Sequence, residues 1–152
     1  MRIIKSTLFL LLLIALAAPV SAQKDQICKV WYNQEKTSRV EVYQKGNTFE
    51  AKIIWLSEPN ENGKPKLDKE NPDDKLKTQP VMGMVFLHDL HKTKDDPNYY
   101  DDGKVYDPKN GKTYSCHLTF KGNTMELRGY VGFSLLGRTS VWTLAEPQFQ
   151  KK

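Results

Sequence analysis

The sequence lacks several features that would point directly to a class of function. It has only two cysteines and no C-x-x-C pair, which argues against a catalytic thiol. It has no basic stripe interleaved with aromatic residues, which argues against nucleic-acid binding. Its 9 glycines and 8 prolines among 152 residues exclude collagen-like or low-complexity architecture. What remains is a globular composition, with 39% hydrophobic residues and enough chain for one domain.

The first 22 residues have the layout of a secretory leader. Arg2 and Lys5 precede an uncharged apolar stretch over residues 7–18, and small residues end the segment at Ala22. An uncleaved anchor is the alternative, but the apolar run is about a dozen residues against the roughly 20 that a spanning helix needs. We expect cleavage after Ala22 and export to the periplasm or beyond the cell. No later stretch is apolar enough to span a membrane, so residues 23–152 would form one domain.

Cys28 and Cys116 both follow the expected cleavage site. In an oxidising compartment two cysteines usually form one disulfide, so the sequence predicts a Cys28–Cys116 bridge. Two buried free thiols are the alternative. The chain from Gln23 has 21 basic and 18 acidic residues, a modest net charge of +3.

Apolar and polar residues alternate with a period of two along most of the chain, which predicts β-strands. In residues 48–56 the alternation places Phe49, Ala51, Ile53 and Trp55 on one face and Glu50 on the other. Two later strands are expected to turn Cys116, Leu118, Met125, Leu127 and Val131 inward, and another strand is expected over residues 81–87. Turn signals separate the strands, at Gly46-Asn47, at residues 107–112 and at residues 121–123. Residues 57–79 are a long polar loop, and residues 92–103 form a second. Nothing resembles an amphipathic helix. About eight strands joined by tight turns predict a single all-β domain, an antiparallel up-and-down β-barrel without exposed edges.

Three groups of polar residues invite a catalytic or metal-site interpretation and do not meet its requirements. His88 and His91 are spaced i,i+3 at a predicted strand end, not i,i+4 on a helix as in zinc sites. The acidic pairs in residues 95–102 lack the spacing of a calcium loop. The segment 132–137 reads G-x-S-x-x-G, one residue longer than a nucleophile elbow, and it joins two strands. The sequence therefore predicts no metal, cofactor or catalytic residue.

Aromatic residues are frequent on the predicted strands. They are typical of barrel cores and also of a lumen that binds an apolar or sugar-like ligand. We expect Tyr43, Trp55 and Tyr114 near such a cavity, with the loop of residues 57–79 at its mouth.

Several short motifs together resemble the domain-of-unknown-function 2147 family of exported bacterial proteins. They run in the family's order over nearly all of residues 27–142, and they are Trp31, Ile53-Ile54-Trp55-Leu56, Asn71-Pro72-Asp73, Tyr106-Asp107-Pro108, Gly111-Lys112-Thr113-Tyr114, Gly129-Tyr130-Val131-Gly132, Gly137-Arg138-Thr139 and Trp142-Thr143.

The resemblance implies a lipocalin-like barrel and an envelope location, not an activity. It also implies structural roles for Trp31, Arg138 and Trp142, with Trp31 packed under Arg138 at the closed end of the barrel. The alternation around Cys28, Val30 and Tyr32 instead turns Trp31 outward. The family pattern has glycine two residues before the tryptophan, and Lys29 stands there.

The function that this sequence favours is noncatalytic binding of a small, partly apolar or amphipathic ligand inside the barrel. The alternative is an envelope protein-interaction module that uses its loops, with the barrel as a scaffold. An enzyme is the third interpretation, and it would require titratable groups that converge in a cavity.

Overall fold

A computed structural model describes residues 23–145 of the chain. The predicted leader, residues 1–22, and residues 146–152 lie outside the described residues. The ten strands are β1 (Val30–Tyr32), β2 (Ser38–Lys45), β3 (Thr48–Leu56), β4 (Asn60–Glu61), β5 (Lys64–Pro65), β6 (Val85–Lys92), β7 (Tyr99–Asp107), β8 (Lys112–Phe120), β9 (Thr124–Tyr130) and β10 (Gly137–Leu144).

Eight of these strands close into an antiparallel barrel in the order β1-β10-β9-β8-β7-β6-β3-β2. Strands that follow one another along the chain are neighbours in the barrel, apart from β4 and β5, which form a small ribbon inside the β3–β6 loop. The residues from 23 to 145 contain no helix. The prediction of an all-β, up-and-down barrel of about eight strands is confirmed.

The tight turns lie where the sequence predicted them. Lys45 pairs with Thr48 across the β2–β3 turn, and Gly46 there has a φ of 61°, a left-handed conformation that glycine adopts without steric cost. The β7–β8 turn begins at Asp107, whose carboxylate accepts a 2.9 Å hydrogen bond from the Lys109 N–H. An aspartate that caps its own turn favours this hairpin over a longer connection.

One end of the barrel is closed by the segment before β1. The Gln26 side chain donates hydrogen bonds to Pro97 and Asn98 in the β6–β7 loop, at 2.9 and 3.0 Å. Asp25 accepts hydrogen bonds from Tyr100 Oη at 2.6 Å and from Lys92 Nζ at 2.7 Å. We call this end, with the turns β2–β3, β6–β7 and β8–β9, the closed end. The other end, with the loops β1–β2, β3–β6, β7–β8 and β9–β10, is the mouth.

Trp31 lies inside the barrel just above this plug. Its side chain is fully buried, its Nε1 donates a 2.9 Å hydrogen bond to the Ile27 carbonyl, and its ring meets Phe120 edge-on. The alternation that turned Trp31 outward was therefore wrong, and the position implied by the family resemblance is the observed one. The chain turns just before β1. The inward–outward alternation of side chains that starts at Cys28 therefore does not continue into this three-residue strand.

Most strand faces match the expected pattern, with differences where strands end. Cys116, Leu118, Met125 and Leu127 are buried, as predicted. Val131, predicted to point inward, is exposed because β9 ends at Tyr130. The strand expected over residues 81–87 is β6, which runs to Lys92, and β7 begins at Tyr99, so the second polar loop is shorter than expected.

Candidate functional site

The upper half of the barrel interior encloses a cavity of about 580 Å³. Its wall is largely apolar, and six strands contribute apolar side chains to it. Ser140, on β10, is a small polar residue of this wall. The apolar wall residues are Val40, Ile53, Phe86, Val105, Leu127 and Trp142.

Polar and charged residues surround the opening of this cavity. They come from three of the mouth loops and carry both signs of charge, which suits a ligand with a polar end held near solvent. The residues of this rim include Asn33, Glu35, Glu58, Lys66, Asp107 and Lys109. The expectation that the loop after residue 57 lies at the mouth agrees with the structure, since Ser57, Glu58, Lys66 and Leu67 all line the cavity.

The long β3–β6 loop is fastened to the barrel by a buried carboxylate. Asp68, almost fully buried, accepts hydrogen bonds from Tyr106 Oη at 2.7 Å and from Asn71 Nδ2 at 2.6 Å. Burial and the bond to Asp68 raise the pKa of Tyr106 to about 12, so its hydroxyl keeps its proton. Close backbone packing adds a second attachment, because a Cβ on Gly111 would lie 1.9 Å from the Glu70 carbonyl oxygen.

A second cavity, of about 560 Å³, lies between this loop and the barrel wall. Leu76, Met82 and His88 are among its lining residues, and Tyr106 borders both cavities. The inner cavity is the better candidate site, because core side chains from six strands line it.

Tyr43 and Trp55 lie on the outer face of the barrel and do not line the inner cavity. Tyr43 Oη donates a 2.7 Å hydrogen bond to Glu50. Trp55 turns outward because the register between β2 and β3 shifts at Arg39 and Val40, so that Ile54 occupies an extra position. The prediction that both lie near the cavity is corrected here. A bulge reverses the alternation that the sequence predicts through Trp55, and Tyr43 points outward because it follows the buried Val42 on β2.

Glu50, on β3, faces outward as expected but is nearly covered. Besides Tyr43, it accepts a 2.8 Å hydrogen bond from Lys45, and His88 lies 3.7 Å away. The hydrogen bonds from Lys45 and Tyr43 lower the pKa of this carboxylate, and burial combined with the bond to Glu50 raises the pKa of Tyr43 to about 12. The group forms a polar cluster on the outer wall near the closed end.

Tyr114 lies on the inner face, next to the cavity rather than in its lining. It pairs with the wall residue Val105, and its hydroxyl accepts a 3.0 Å hydrogen bond from Asn110. Trp142, expected to be structural, is buried against Phe86 with ring centroids 5.9 Å apart, and it also lines the cavity.

Arg138 does not pack on Trp31. It is exposed and pairs with Gly129 near the mouth, whereas Trp31 pairs with Leu144 at the other end of β10. Arg39 instead makes cation–π contacts with Tyr32 and Trp55. Its guanidinium lies 4.9 and 4.7 Å from the centroids of these two rings. The sequence does not show that Arg39, Tyr32 and Trp55 are cross-strand neighbours. The family resemblance points to Arg138 instead.

Cys28 and Cys116 are two buried free thiols in the structure, so the predicted disulfide is not formed there. Cys116 packs closely against Gly103, since a Cβ added to Gly103 would lie 2.8 Å from the Cys116 sulfur. Burial raises the pKa of Cys116 to about 12, which keeps it protonated.

The described residues offer neither a metal-binding cluster nor a membrane-spanning helix. From Gln23 to Ala145, no three His, Cys, Asp or Glu side chains are grouped so that they could hold a metal ion. Over the same range, no helix is long and apolar enough to cross a membrane. His88 lies in the middle of β6, and His91 lies near its end.

Sequence reasoning missed most of the cavity wall. Val40, Phe86, Val105 and Ser140 were not singled out, although each stands on a strand whose alternation was readable. Alternation indicates which side chains face inward, but not which of them leave space between them, since that depends on how six strands from distant parts of the chain meet.

Comparison with known proteins agrees with this architecture. Residues 30–144 match the model of a family described as "Uncharacterized protein conserved in bacteria (DUF2147)". A similar solved structure is that of protein HP1028 from Helicobacter pylori, described as belonging to the lipocalin family. The two chains are 28% identical, with a TM-score of 0.69 over 80% of this chain and 84% of the other. Comparison with curated proteins gives no match. Because the family model covers most of the chain, this lipocalin-like barrel belongs to the bacterial DUF2147 family.

Proposed function

We propose that the protein binds a small, partly apolar ligand in the upper half of its barrel and does not change it chemically. The observation that carries this proposal is the cavity of about 580 Å³, with an apolar wall and a polar opening. Ligand sites of proteins usually measure roughly 300–1,000 Å³ and combine apolar walls with a few polar groups. The complementary ligand has an apolar body that lies against Phe86 and Trp142, and a polar group that stays at the rim.

The fold supports this proposal. An eight-stranded barrel is just wide enough to be filled by side chains or to hold one small ligand, as lipocalins do. In this barrel both situations occur, because the lower half is filled by Trp31, Tyr100, Leu118 and other core residues, while the upper half is not.

The noncatalytic part of the proposal is supported by where the perturbed acidic groups lie. Burial alone would raise the pKa of Asp25, but hydrogen bonds from Lys92, Tyr100 and the Ile27 N–H lower it overall. Asp25, Glu50 and Cys116 all have shifted pKa values, and each contacts structural neighbours outside the cavity lining. Tyr106 also has a raised pKa and borders the cavity, but its hydroxyl is held by the buried Asp68. Contacts within the folded protein account for these pKa shifts, and no reaction is needed to explain them.

Ligand binding would take place after export. The leader-like layout of residues 1–22 supports this location, and the barrel itself begins only at Val30. Amino-terminal sequencing of the protein from an envelope fraction should start at Gln23. A start at Met1 in the cytoplasmic fraction would contradict the location and leave the cavity proposal standing.

The binding test uses two phenylalanine substitutions on the same strand. Ser140 faces the cavity, and Val141, its neighbour on β10, faces outward and is partly exposed. The probe is 1-anilinonaphthalene-8-sulfonate, an amphipathic dye whose fluorescence rises in apolar surroundings. Native protein and Val141→Phe should bind the dye saturably with similar affinity. Ser140→Phe fills the cavity and should weaken binding by roughly tenfold or more.

Equal dye binding by all three proteins would show that the dye does not enter the barrel, and the proposal would fail. Urea unfolding of both variants serves as a control, since Phe at position 140 enters open space and should not unfold the barrel. Native mass spectrometry of the protein purified from the envelope then identifies the class of the natural ligand from any adduct that Ser140→Phe lacks.

A further inference from the structure

The β9–β10 loop carries the most exposed apolar side chains among residues 23–145. Four large apolar residues lie within six positions of this loop, and we call them the apolar tip: Val131, Phe133, Leu135 and Leu136, which are 68%, 78%, 88% and 75% exposed. Single exposed apolar residues are common on any protein surface, but a cluster of this kind marks an interaction site.

Part of the backbone of the tip is hydrogen-bonded within the protein. Arg128 Nε donates to the Ser134 carbonyl at 2.6 Å and Arg128 Nη2 to the Leu135 carbonyl at 3.2 Å. The Leu136 N–H donates to the Phe133 carbonyl at 3.0 Å. Three successive carbonyls are therefore satisfied without water. These bonds lower the cost of moving the loop from water into the headgroup region, because an unpaired polar group is costly in an apolar medium.

The base of the tip is cationic. From Leu127 to Ala145 the only charged residues are Arg128 and Arg138, at the base of the loop. The β7–β8 hairpin, whose second strand pairs with β9, adds the exposed cations Lys109 and Lys112, next to the half-buried Asp107. An apolar tip above a cationic base complements a bilayer that carries anionic headgroups. Two copies of the tip facing each other would instead bring like charges together.

We propose that the apolar tip inserts into the headgroup region of an anionic phospholipid bilayer and holds the mouth of the barrel against it. The tip and the opening of the cavity are at the same end of the barrel, so the docked orientation turns the opening toward the lipid. The passage of bound ligand between the bilayer and the cavity rests on the proposed function. The docking of the tip on the bilayer does not rest on it.

The experiment measures co-sedimentation with vesicles and uses the chain from Gln23, which contains the whole barrel. Vesicles of phosphatidylglycerol and phosphatidylethanolamine are compared with vesicles of phosphatidylcholine alone. The protein should partition onto the anionic vesicles, less onto the neutral ones, and less as salt is added, since salt screens the arginine and lysine charges.

The decisive variant is the double substitution Phe133→Ser/Leu135→Ser. It removes the two most exposed apolar side chains and should reduce partitioning onto anionic vesicles by roughly tenfold or more. The matched control, Ile54→Ser/Val141→Ser, removes two partly exposed apolar side chains elsewhere on the barrel and should partition as the native chain does. Arg138→Glu should weaken binding to anionic vesicles and leave the weaker binding to neutral ones in place.

Three outcomes would overturn the proposal. They are no partitioning of the native chain, equal partitioning of the tip variant, or tip-dependent self-association in solution, which would assign the tip to a protein contact. Dye binding measured without vesicles separates the two proposals: Ser140→Phe should lose the dye and still bind vesicles, and the tip variant should do the reverse.

Discussion

The two ends of this barrel differ in almost every respect that sequence and packing control. The closed end has short polar turns, an N-terminal plug and fully buried aromatic residues such as Trp31 and Tyr100. The mouth has the long β3–β6 loop, a cavity and the apolar tip. The packed core therefore lies at one end and the proposed binding site at the other, as in other folds where a packed scaffold carries functional loops.

The largest expected effect is at the closed end. Trp31→Ala removes a fully buried ring, its contact with Phe120 and its hydrogen bond to Ile27, so the free energy of unfolding should fall by about 3–5 kcal/mol. Urea denaturation followed by circular dichroism measures this loss in the free energy of unfolding. A loss below about 1 kcal/mol would mean that the closed end is not the stable part of the barrel.

Glu50→Gln tests the polar cluster near the closed end and should cost about 2 kcal/mol at neutral pH, because charge-assisted hydrogen bonds from Lys45 and Tyr43 are weakened. The folded state lowers the pKa of Glu50 from its ordinary 4.5, so this stabilisation is present above pH 4.5 and is lost as the pH falls through the lower folded value. The unfolding curves of native and variant protein should therefore converge on acidification. A difference in unfolding free energy between native protein and Glu50→Gln that widens in acid would contradict the stabilising role of the Glu50 carboxylate.

A smaller loss of stability is expected from a substitution where the long β3–β6 loop meets the barrel. Tyr106→Phe removes the hydroxyl that donates to the buried Asp68 and should lower the free energy of unfolding by about 1 kcal/mol. Limited proteolysis should cut residues 57–84 faster in the variant than in the native chain. Unchanged cleavage would show that the Gly111–Glu70 packing alone holds the loop.

Near-zero effects on stability are expected at the apolar tip. Phe133→Ser exchanges a side chain that is 78% exposed, so the free energy of unfolding should stay within about 0.5 kcal/mol of the native value. The same denaturation measurement used for Trp31→Ala gives the direct contrast between the ends. A clear destabilisation would mean that the tip packs on the protein rather than standing free for a partner.

No reaction at all is expected from the two thiols of the native protein. Cys28 and Cys116 are buried, and burial raises the pKa of both, so a thiol reagent such as Ellman's should react with neither until urea is added, and then with two. Protein purified without reductant that yields no thiol in urea would contain the disulfide that the sequence predicted.

Much of the fold was readable in the sequence because β-strand alternation and turn chemistry are local. Gly46-Asn47 and Asp107 each determine a hairpin through residues that are close in the chain. Trp55 shows the limit: a register shift between Arg39 and Val40, not visible in either strand alone, moves it from the inner face to the outer one. Arg138 shows a second limit: it stands at the start of β10 near the mouth, whereas Trp31 pairs with Leu144 at the other end of that strand.

The sequence by itself determined the class of fold, the order of the strands, the hairpin turns and the position of the long loop at the mouth, because each of these follows from neighbouring residues. Only the tertiary structure decided which inward residues enclose a cavity, that Arg39 rather than Arg138 makes the cation–π contact, and that the β9–β10 loop presents four apolar side chains to solvent. These features arise where residues far apart in the chain meet, and their positions depend on barrel closure, register shifts and the lengths to which strands extend.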